Sequence, residues 1–277
     1  MQQYIESIDK DGYCIIPQLY SSQRIAEALK RIKHWHEISR DQQSDKVPFL
    51  NRATPLVYNL QSKDFFFIDL LFEHSVVQQI LIHFLNDRWF KQIPPEEPNY
   101  ILRSYMARSS QAALPMHIDS FIPYVGPHTI SMQIVIALED ASAENGSTLL
   151  VPGSHQTGQY CTQEARDRAI STTTKAGDVV IWDSRIWHGA TENRSGRTRW
   201  AIIATFARWW LKQFFNITQS LPQQCYERLT DSQKAVMGFC SVPNYDETHG
   251  IDMKCGYDAL LPHVADYHEP VLSRQRS

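Results

Sequence analysis

Three residues in this sequence have the side chains and the spacing of a metal site. His117 and Asp119 are separated by one residue, and on a β-strand residues i and i+2 project to the same face. His188 lies well downstream, at the end of the apolar run 179–187. Two imidazoles and one carboxylate on one side of a metal leave other positions open, a ligand set that suits non-haem Fe(II) oxygenases.

A lone arginine follows this set in an apolar segment. Arg199 lies in the run 198–206, and on a strand it would share a face with Ala201, Ile203 and Thr205. A guanidinium there is costly to bury unless it meets an anion, and its planar shape matches a carboxylate. We therefore predict that Arg199 binds an anion. Arg194 and Arg197 lie in the polar turn 192–197, so we expect both to face solvent.

The same residues allow other interpretations. His117 and Asp119 alone could be an ordinary strand pair in which the aspartate opens a turn. A structural zinc site would need cysteine pairs beside the histidines, and the five cysteines have no CxxC spacing. A catalytic zinc also uses two histidines and a carboxylate, so the ligand set does not exclude it. The missing HExxH motif and the added Arg199 argue against that choice.

Further motifs surround these residues in a fixed order. They are the opening 11–17, His117-x-Asp119, the turn 144–148 with 151–155, Gly177-Asp178, 187–189, 193–195 and Arg199. From about residue 8 to about residue 210, this order and spacing resemble the phytanoyl-CoA dioxygenase family of Fe(II)- and 2-oxoglutarate-dependent oxygenases. The resemblance implies a mainly β protein with flanking helices, built on a double-stranded β-helix core of the jelly-roll or cupin-like kind.

The resemblance also implies the cofactors and the residues that bind them. Fe(II) would be held by His117, Asp119 and His188, with 2-oxoglutarate and O2 as co-substrates. The distal carboxylate of 2-oxoglutarate would bind Arg199, and Thr148 matches a position that assists the co-substrate, although it could equally be an ordinary strand residue. Many members have a serine two residues after the second histidine, where this chain has Ala190. Candidates for the missing hydroxyl are Tyr105 and Thr191.

The implied activity is oxidation of a small metabolite or natural-product intermediate, with release of succinate and CO2. Hydroxylation, desaturation and ring closure would all use the same residues. Because related halogenases lose the acidic ligand, Asp119 favours oxygen transfer over halogenation. Apolar residues expected near the substrate mouth, which could instead be core, are Phe121, Tyr124, Met132 and Phe206. The alternative is a non-oxidative cupin-like metal-binding isomerase or small-molecule binding module, which Arg199 and the complete ligand set disfavour.

Local patterns predict a single domain over residues 1–277 with three parts. A helical N-terminal part to about residue 95 contains a short strand at 13–16 and helices at 2–9, 24–38, 64–73 and 75–86. The β-helix core spans about 100–210, with strands at 100–107, 113–119, 129–138, 148–151, 178–182 and 200–206. A C-terminal flank, 211–277, returns to helices and loops.

The composition limits the partners. The 277 residues are 43% hydrophobic and 21% charged, with a net charge of −3, so no basic excess points to nucleic acid. No apolar run reaches membrane-spanning length, and the N-terminal residues lack the basic-then-apolar pattern of a signal peptide. We expect a cytoplasmic monomer or homodimer with a small-molecule substrate and with no nucleic-acid or membrane partner.

Overall fold

Ten strands form two antiparallel sheets in the computed structural model, which describes residues 1–39, 55–89, 93, 96–109, 111–242 and 246–248. The strands are β1 (Tyr13–Ile16), β2 (Leu56–Tyr58), β3 (Tyr100–Ser109), β4 (Leu114–His117), β5 (Ser131–Ala137), β6 (Thr148–Leu150), β7 (Ile170–Ser171), β8 (Val179–Asp183), β9 (His188–Ala190) and β10 (Trp200–Arg208). The larger sheet has the order β1-β8-β5-β10-β3-β2, and the smaller one has the order β4-β9-β6-β7.

The two faces of the larger sheet differ in chemistry. On β10, Ile202, Ala204 and Phe206 belong to the main hydrophobic core. Helices of the same core cluster pack there, namely α1 (Gln2–Asp11), α2 (Ser22–Ser39), α3 (Leu60–Lys63), α4 (Phe65–Phe72) and α5 (Ser75–Leu85). The alternate residues of β10 face a cavity toward the smaller sheet. Every residue of β5 and β8 is buried, because these strands are covered on both faces.

The N-terminal part supplies strands as well as helices. The predicted strand at 13–16 is confirmed, and its residues pair with Val179 to Trp182 at one edge of the larger sheet. β2 was not predicted, and it extends the opposite edge by pairing with β3. The sheet therefore draws strands from outside the predicted core of 100–210. Ser21 caps α2 as its residue type indicates, because its hydroxyl accepts a hydrogen bond from Arg24 N at 3.2 Å.

The segment after β10 returns toward the cavity before forming short helices. Phe214 and Phe215 line the cavity, and α6 (Ile217–Ser220), α7 (Gln223–Tyr226) and α8 (Asp231–Val236) follow. Of the predicted C-terminal flank, 243–245 and 249–277 lie outside the described residues. In the part of the chain that is described, no single helix could span a membrane. Among the described residues, only α4 and α5 taken together have the length and apolar composition of a membrane span, and this pair is bent by 74°.

A buried ion pair shapes the turn after β8. The Asp183 carboxylate accepts hydrogen bonds from Arg185 Nη2 at 2.7 Å and Nε at 3.0 Å, and from the Thr129 hydroxyl at 2.8 Å. In the same turn, the Ser184 carbonyl accepts hydrogen bonds from the amides of Asp119 at 2.9 Å and Ser120 at 3.0 Å. The ion pair therefore supports the backbone that carries a predicted metal ligand.

Replacing Arg185 with alanine should destabilise the fold strongly. The change leaves the Asp183 carboxylate buried without its cation, and breaking such a pair typically costs about 3–5 kcal/mol. Urea denaturation measures this loss. The matched control is Arg194→Ala, because Arg194 pairs with Glu192 on the exposed surface and should contribute little. Equal midpoints for the two variants would contradict the role assigned to the buried pair.

Candidate metal centre

The three predicted metal ligands meet at the junction of β4 and β9. His117 and His188 are directly paired across these antiparallel strands, and their ring centroids are 4.0 Å apart. The Asp119 carboxylate lies 3.5 Å from His117 Nε2 and 3.2 Å from His188 Nε2. One ligand atom from each residue lies within 4.8 Å of the others. Two nitrogens and one oxygen therefore converge, which is the donor set of the facial triad.

Backbone carbonyls fix the orientation of both imidazoles. His117 Nδ1 lies 2.8 Å from the Pro115 carbonyl oxygen, and His188 Nδ1 lies 3.0 Å from that of Ile186. A carbonyl oxygen can only accept, so each Nδ1 carries the proton. In the neutral ring, the Nε2 lone pair is then directed at the convergence point, as in metal-binding histidines generally. In the protonated ring, Nε2 faces the Asp119 carboxylate as a donor.

A glycine allows the two ligand strands to approach closely. A Cβ atom at Gly189 would lie 2.8 Å from the Leu114 carbonyl oxygen and 3.0 Å from Met116 Sδ. The first contact is shorter than real Cβ atoms show and is with backbone, and the second is tight against a flexible side chain. The residue after His188 must therefore be glycine for β4 and β9 to hold the histidines at this separation.

Asp119 concentrates negative charge at the convergence point. Burial alone would raise the pKa of its carboxyl, but the charges and hydrogen bonds of His188 and His117 outweigh burial and hold that pKa well below its usual range. Burial lowers the pKa of His117, whereas the hydrogen bond and charge of Asp119 raise it, and the net shift is upward. The carboxylate is therefore ionised and attracts a positive charge to this position.

A cavity of about 510 Å³ opens beside the three ligands. It is lined by Arg199, which immediately precedes β10, and by the alternate β10 residues Ala201, Ile203 and Thr205, as the parity of the sequence predicted. Thr148, Ala190 and Phe121 also line it. Of the three hydroxyl residues predicted to assist the co-substrate, Thr148 is the one that lines this cavity.

Arg199 is a buried cation on this wall. Its Nη2 donates to the carbonyl of Gly146, in the predicted turn 144–148, while its Nε has no hydrogen-bond partner among the described residues. Burial and the charge of Arg108 lower the pKa of the guanidinium to about 10, against the opposing charge of Glu139. It stays protonated at neutral pH, with a donor to spare. Such a group has the charge and the donor geometry to pair with a carboxylate.

The other candidate residues near Arg199 do not line the cavity. Arg194 and Arg197 are exposed, as predicted. Thr191 was a candidate for the missing hydroxyl, but it does not line the cavity, and its buried hydroxyl has no hydrogen-bond partner among the described residues. Thr191 therefore does not place its hydroxyl on the cavity wall.

Three other predicted site residues are in the hydrophobic core, and those predictions are wrong. Tyr105 is 1% exposed, and its hydroxyl donates to the Phe67 carbonyl at 3.1 Å on the helical side of the sheet. Met132 and Phe206 lie on the same side and are completely buried. Their strand parity is opposite to that of the cavity-lining residues, which accounts for all three errors.

The loop after Asp119 forms one rim of the cavity. Phe121 lies on the rim, is 62% exposed, and has a φ of 65°, which is unusual for a residue other than glycine. The Arg103 guanidinium packs against the rings of Phe121 and Phe214, at 5.1 Å and 4.0 Å from their centroids. Tyr124 is not on this rim, because its hydroxyl accepts from Ile130 N and its ring stacks under Arg185.

Several cavity residues were missed by the sequence analysis. They are Tyr58, Ser104, Met106, Arg108, Leu114, Gln133, Val135, Trp182, Phe214 and Phe215. For the residues on β3, the parity that placed Arg199 would have found them, once Ser104 was known to pair with Thr205. For Gln133, the signal was a single amide in a strand of otherwise apolar and small residues.

Comparison with known proteins agrees with this geometry. The profile of the phytanoyl-CoA dioxygenase (PhyH) family matches residues 8–201, which is most of the chain and includes all three ligands and Arg199. The chain belongs to the phytanoyl-CoA dioxygenase family. This family membership was predicted from the ordered motifs and is confirmed.

Individual relatives of this PhyH-family chain are distant. The uncharacterized protein Rv1501 of Mycobacterium tuberculosis is 33% identical over 121 residues, 42% of this chain and 44% of that protein. The matched part thus spans less than half of that relative. Dioxygenase af480 of Aspergillus fumigatus is 22% identical over 245 residues, 85% of this chain and 76% of that protein.

Solved structures of similar fold are also available for comparison. HygX from Streptomyces hygroscopicus, with nickel and 2-oxoglutarate bound, has a TM-score of 0.60 at 14% identity, covering 78% of this chain and 90% of HygX. The carbocyclase SnoK from nogalamycin biosynthesis has a TM-score of 0.56 at 17% identity, covering 75% and 84%. The predicted β-helix fold with flanking helices is confirmed.

Replacing His188 with alanine should abolish tight Fe(II) binding and leave the fold intact. The change removes one of three converging donors, and the remaining two cannot form the facial set. Anaerobic equilibrium dialysis against Fe(II) measures the bound stoichiometry. His128→Ala is the control, because His128 is exposed and outside the cavity. Wild-type affinity in the His188 variant would rule out this metal centre.

Proposed function

We propose that this protein is an Fe(II)- and 2-oxoglutarate-dependent dioxygenase that oxidises a small metabolite or natural-product intermediate. The main support is one cavity that contains both the His117, Asp119 and His188 donors and the buried Arg199 guanidinium. A metal centre alone would also fit a cupin-like isomerase or binding module. The unpaired donor of Arg199 favours the dioxygenase, because it provides a place for the distal carboxylate of 2-oxoglutarate.

The residues present fit the iron and the co-substrate. His117, Asp119 and His188 would hold Fe(II), and Arg199 would bind the distal carboxylate, with Thr148 beside it on the wall. Bound iron supplies the activation of O2 that drives decarboxylation of 2-oxoglutarate to succinate and CO2 during substrate oxidation. The protein orients the imidazoles through Pro115 and Ile186, and it neutralises the incoming carboxylate with the guanidinium.

The cavity walls limit the access of water to the reacting groups. Val135, Ala201 and Ile203 form an apolar floor, and Phe214 and Phe215 line the cavity with them. A dry cavity strengthens the pairing of Arg199 with a carboxylate, because fewer waters compete for the guanidinium. A bound substrate would complete this enclosure and lie between the floor and the metal ligands.

Several oxidation outcomes fit the same residues. Hydroxylation, desaturation and ring closure each begin from a substrate C–H bond held near the metal, and SnoK is described as a carbocyclase. Asp119 favours these over halogenation, because it provides a ligand at the position that a halide would need. We further propose a cytoplasmic monomer or homodimer with no nucleic-acid or membrane partner. Light scattering would measure the oligomeric state.

The central experiment measures co-substrate binding and turnover separately. Anaerobic protein with Fe(II) should develop a metal-to-ligand charge-transfer absorption when 2-oxoglutarate is added. Exposure to O2 should then release succinate, and a metabolite screen identifies compounds that accelerate this release. Iron binding without the charge-transfer absorption or succinate would favour the isomerase or binding module.

Replacing Arg199 with alanine should raise the apparent KM for 2-oxoglutarate by about 100-fold or more, because breaking a buried charge-assisted pair costs several kcal/mol. Initial rates of succinate release at varied 2-oxoglutarate measure this change. The control is Arg197→Ala, which removes an exposed guanidinium two residues away and should leave the KM near that of the wild type. A larger increase in KM for Arg197→Ala would indicate that Arg197, and not Arg199, binds the carboxylate.

Replacing Asp119 with glycine should abolish substrate oxidation and yield little halogenated product. The change opens a coordination position but removes a charge and a hydrogen-bond acceptor, and a halide also needs a pocket and a well-placed substrate. Mass spectrometry of reactions with chloride and the substrate found by screening measures both outcomes. The wild type should give a product heavier by oxygen or lighter by hydrogen. A chlorine isotope pattern from the wild type would contradict Asp119 as a ligand.

A further inference from the structure

A row of three polar side chains crosses the floor of the cavity, whose wall also contains the cations Arg108 and Arg199. Ser104 on β3, Thr205 on β10 and Gln133 on β5 are cross-strand neighbours, and all three line the cavity. The Ser104 hydroxyl donates to Thr205 Oγ1 at 3.0 Å, and the Thr205 hydroxyl donates to Gln133 Oε1 at 2.7 Å. Each residue is at least nine-tenths buried. The three side chains therefore form a buried chain of hydrogen bonds in the cavity floor.

The direction of these hydrogen bonds determines what the row presents to the cavity. Thr205 uses its proton on Gln133 Oε1, which fixes the orientation of the amide. The Gln133 Nε2 group then remains as a donor, and no described residue accepts a hydrogen bond from it. Because Gln133 lines the cavity, this donor is open to an acceptor that enters there.

The row lies away from the co-substrate anchor. Thr205 is six residues beyond Arg199, which is roughly 20 Å along an antiparallel strand. A 2-oxoglutarate molecule anchored at Arg199 is much shorter than this distance. The row is also close to the metal centre, because Trp182 pairs with Gln133 across the strands and its ring lies 5.4 Å from His188. An acceptor at Gln133 therefore belongs to the substrate that is oxidised.

The rest of this end of the cavity is aromatic. Tyr58, Phe214 and Phe215 line it, and Phe121 forms the exposed rim. These rings provide flat apolar surface for a ring-containing molecule. The part of the substrate that contacts these rings is thus apolar.

We propose that Gln133 determines substrate specificity by donating a hydrogen bond from Nε2 to a carbonyl, hydroxyl or carboxylate oxygen on an otherwise apolar, ring-containing substrate. Thr205 and Ser104 are positioning residues, because they orient the amide and do not contact the substrate oxygen. The proposal rests on the dioxygenase function, since it assigns the space beside the metal to the substrate.

Two probes of nearly equal shape test the donor. They are 2-acetylnaphthalene, which has a carbonyl group beside the ring, and 2-ethylnaphthalene, in which a methylene group replaces that carbonyl. Equilibrium dialysis under anaerobic conditions, with Fe(II) and 2-oxoglutarate present, gives both dissociation constants. The wild type should bind the ketone about fivefold more tightly than the hydrocarbon, the factor expected for one neutral hydrogen bond. Equal affinities, or no binding of either probe, would overturn the proposal.

Variants identify the residue responsible. Gln133→Leu should remove the preference while leaving hydrocarbon binding near the wild-type value, and Thr205→Val should reduce the preference because it releases the amide. Gln156→Leu is the matched control, since Gln156 is exposed and outside this cavity, and it should keep the full preference. A preference that persists in Thr205→Val and Gln133→Leu would overturn the proposal.

A separate measurement distinguishes failure of this proposal from failure of the proposed function. The charge-transfer absorption of the Fe(II) and 2-oxoglutarate complex reports the metal centre and Arg199, and both variants should retain it. If the absorption is present and the ketone preference is absent, the dioxygenase assignment holds and Gln133 does not recognise the substrate. If the absorption is absent in the wild type, the proposed function fails, and with it the substrate role of Gln133.

Discussion

The antiparallel pairing of β4 with β9 is the constraint on which the metal centre depends. It sets His117 directly opposite His188, at the short separation that residues paired across two strands have. The third ligand does not lie on either strand. Asp119 is placed by the Ser184 carbonyl, which accepts two successive amides from the loop, and the buried pair of Asp183 and Arg185 holds that carbonyl in position.

The two faces of the larger sheet have different roles, because alternate residues of each strand point to opposite faces. One set of alternate residues packs under the helices and forms the main core, whereas the other set lines the cavity with two arginines, a polar row and apolar residues. Because both sets lie on the same strands, the burial that stabilises the fold also fixes the cavity wall. A rigid wall of this kind holds Arg199 and Gln133 at a constant separation from the metal ligands.

The sequence predicted the convergence of His117, Asp119 and His188, the cavity position of Arg199 and the family, because these depend on residue type, order and parity, which a linear chain displays. It did not place Tyr105 and Phe206 correctly, although the parity that gave Arg199 a cavity face would have assigned Phe206 to the opposite face. β9 was missed because three residues, His188 to Ala190, are too few to give a periodic pattern. The polar row was invisible to sequence analysis, because Ser104, Thr205 and Gln133 meet only through strand register.

The backbone anchors of the two imidazoles have a consequence for how such a protein can change over evolution. Each Nδ1 donates to the carbonyl of the residue two positions earlier, Pro115 or Ile186, and every residue type supplies that oxygen. The orientation of the metal ligands therefore does not depend on the identity of the neighbouring side chains. Mutations at the mouth and floor can then accumulate under selection for a new substrate while the inherited metal chemistry is retained.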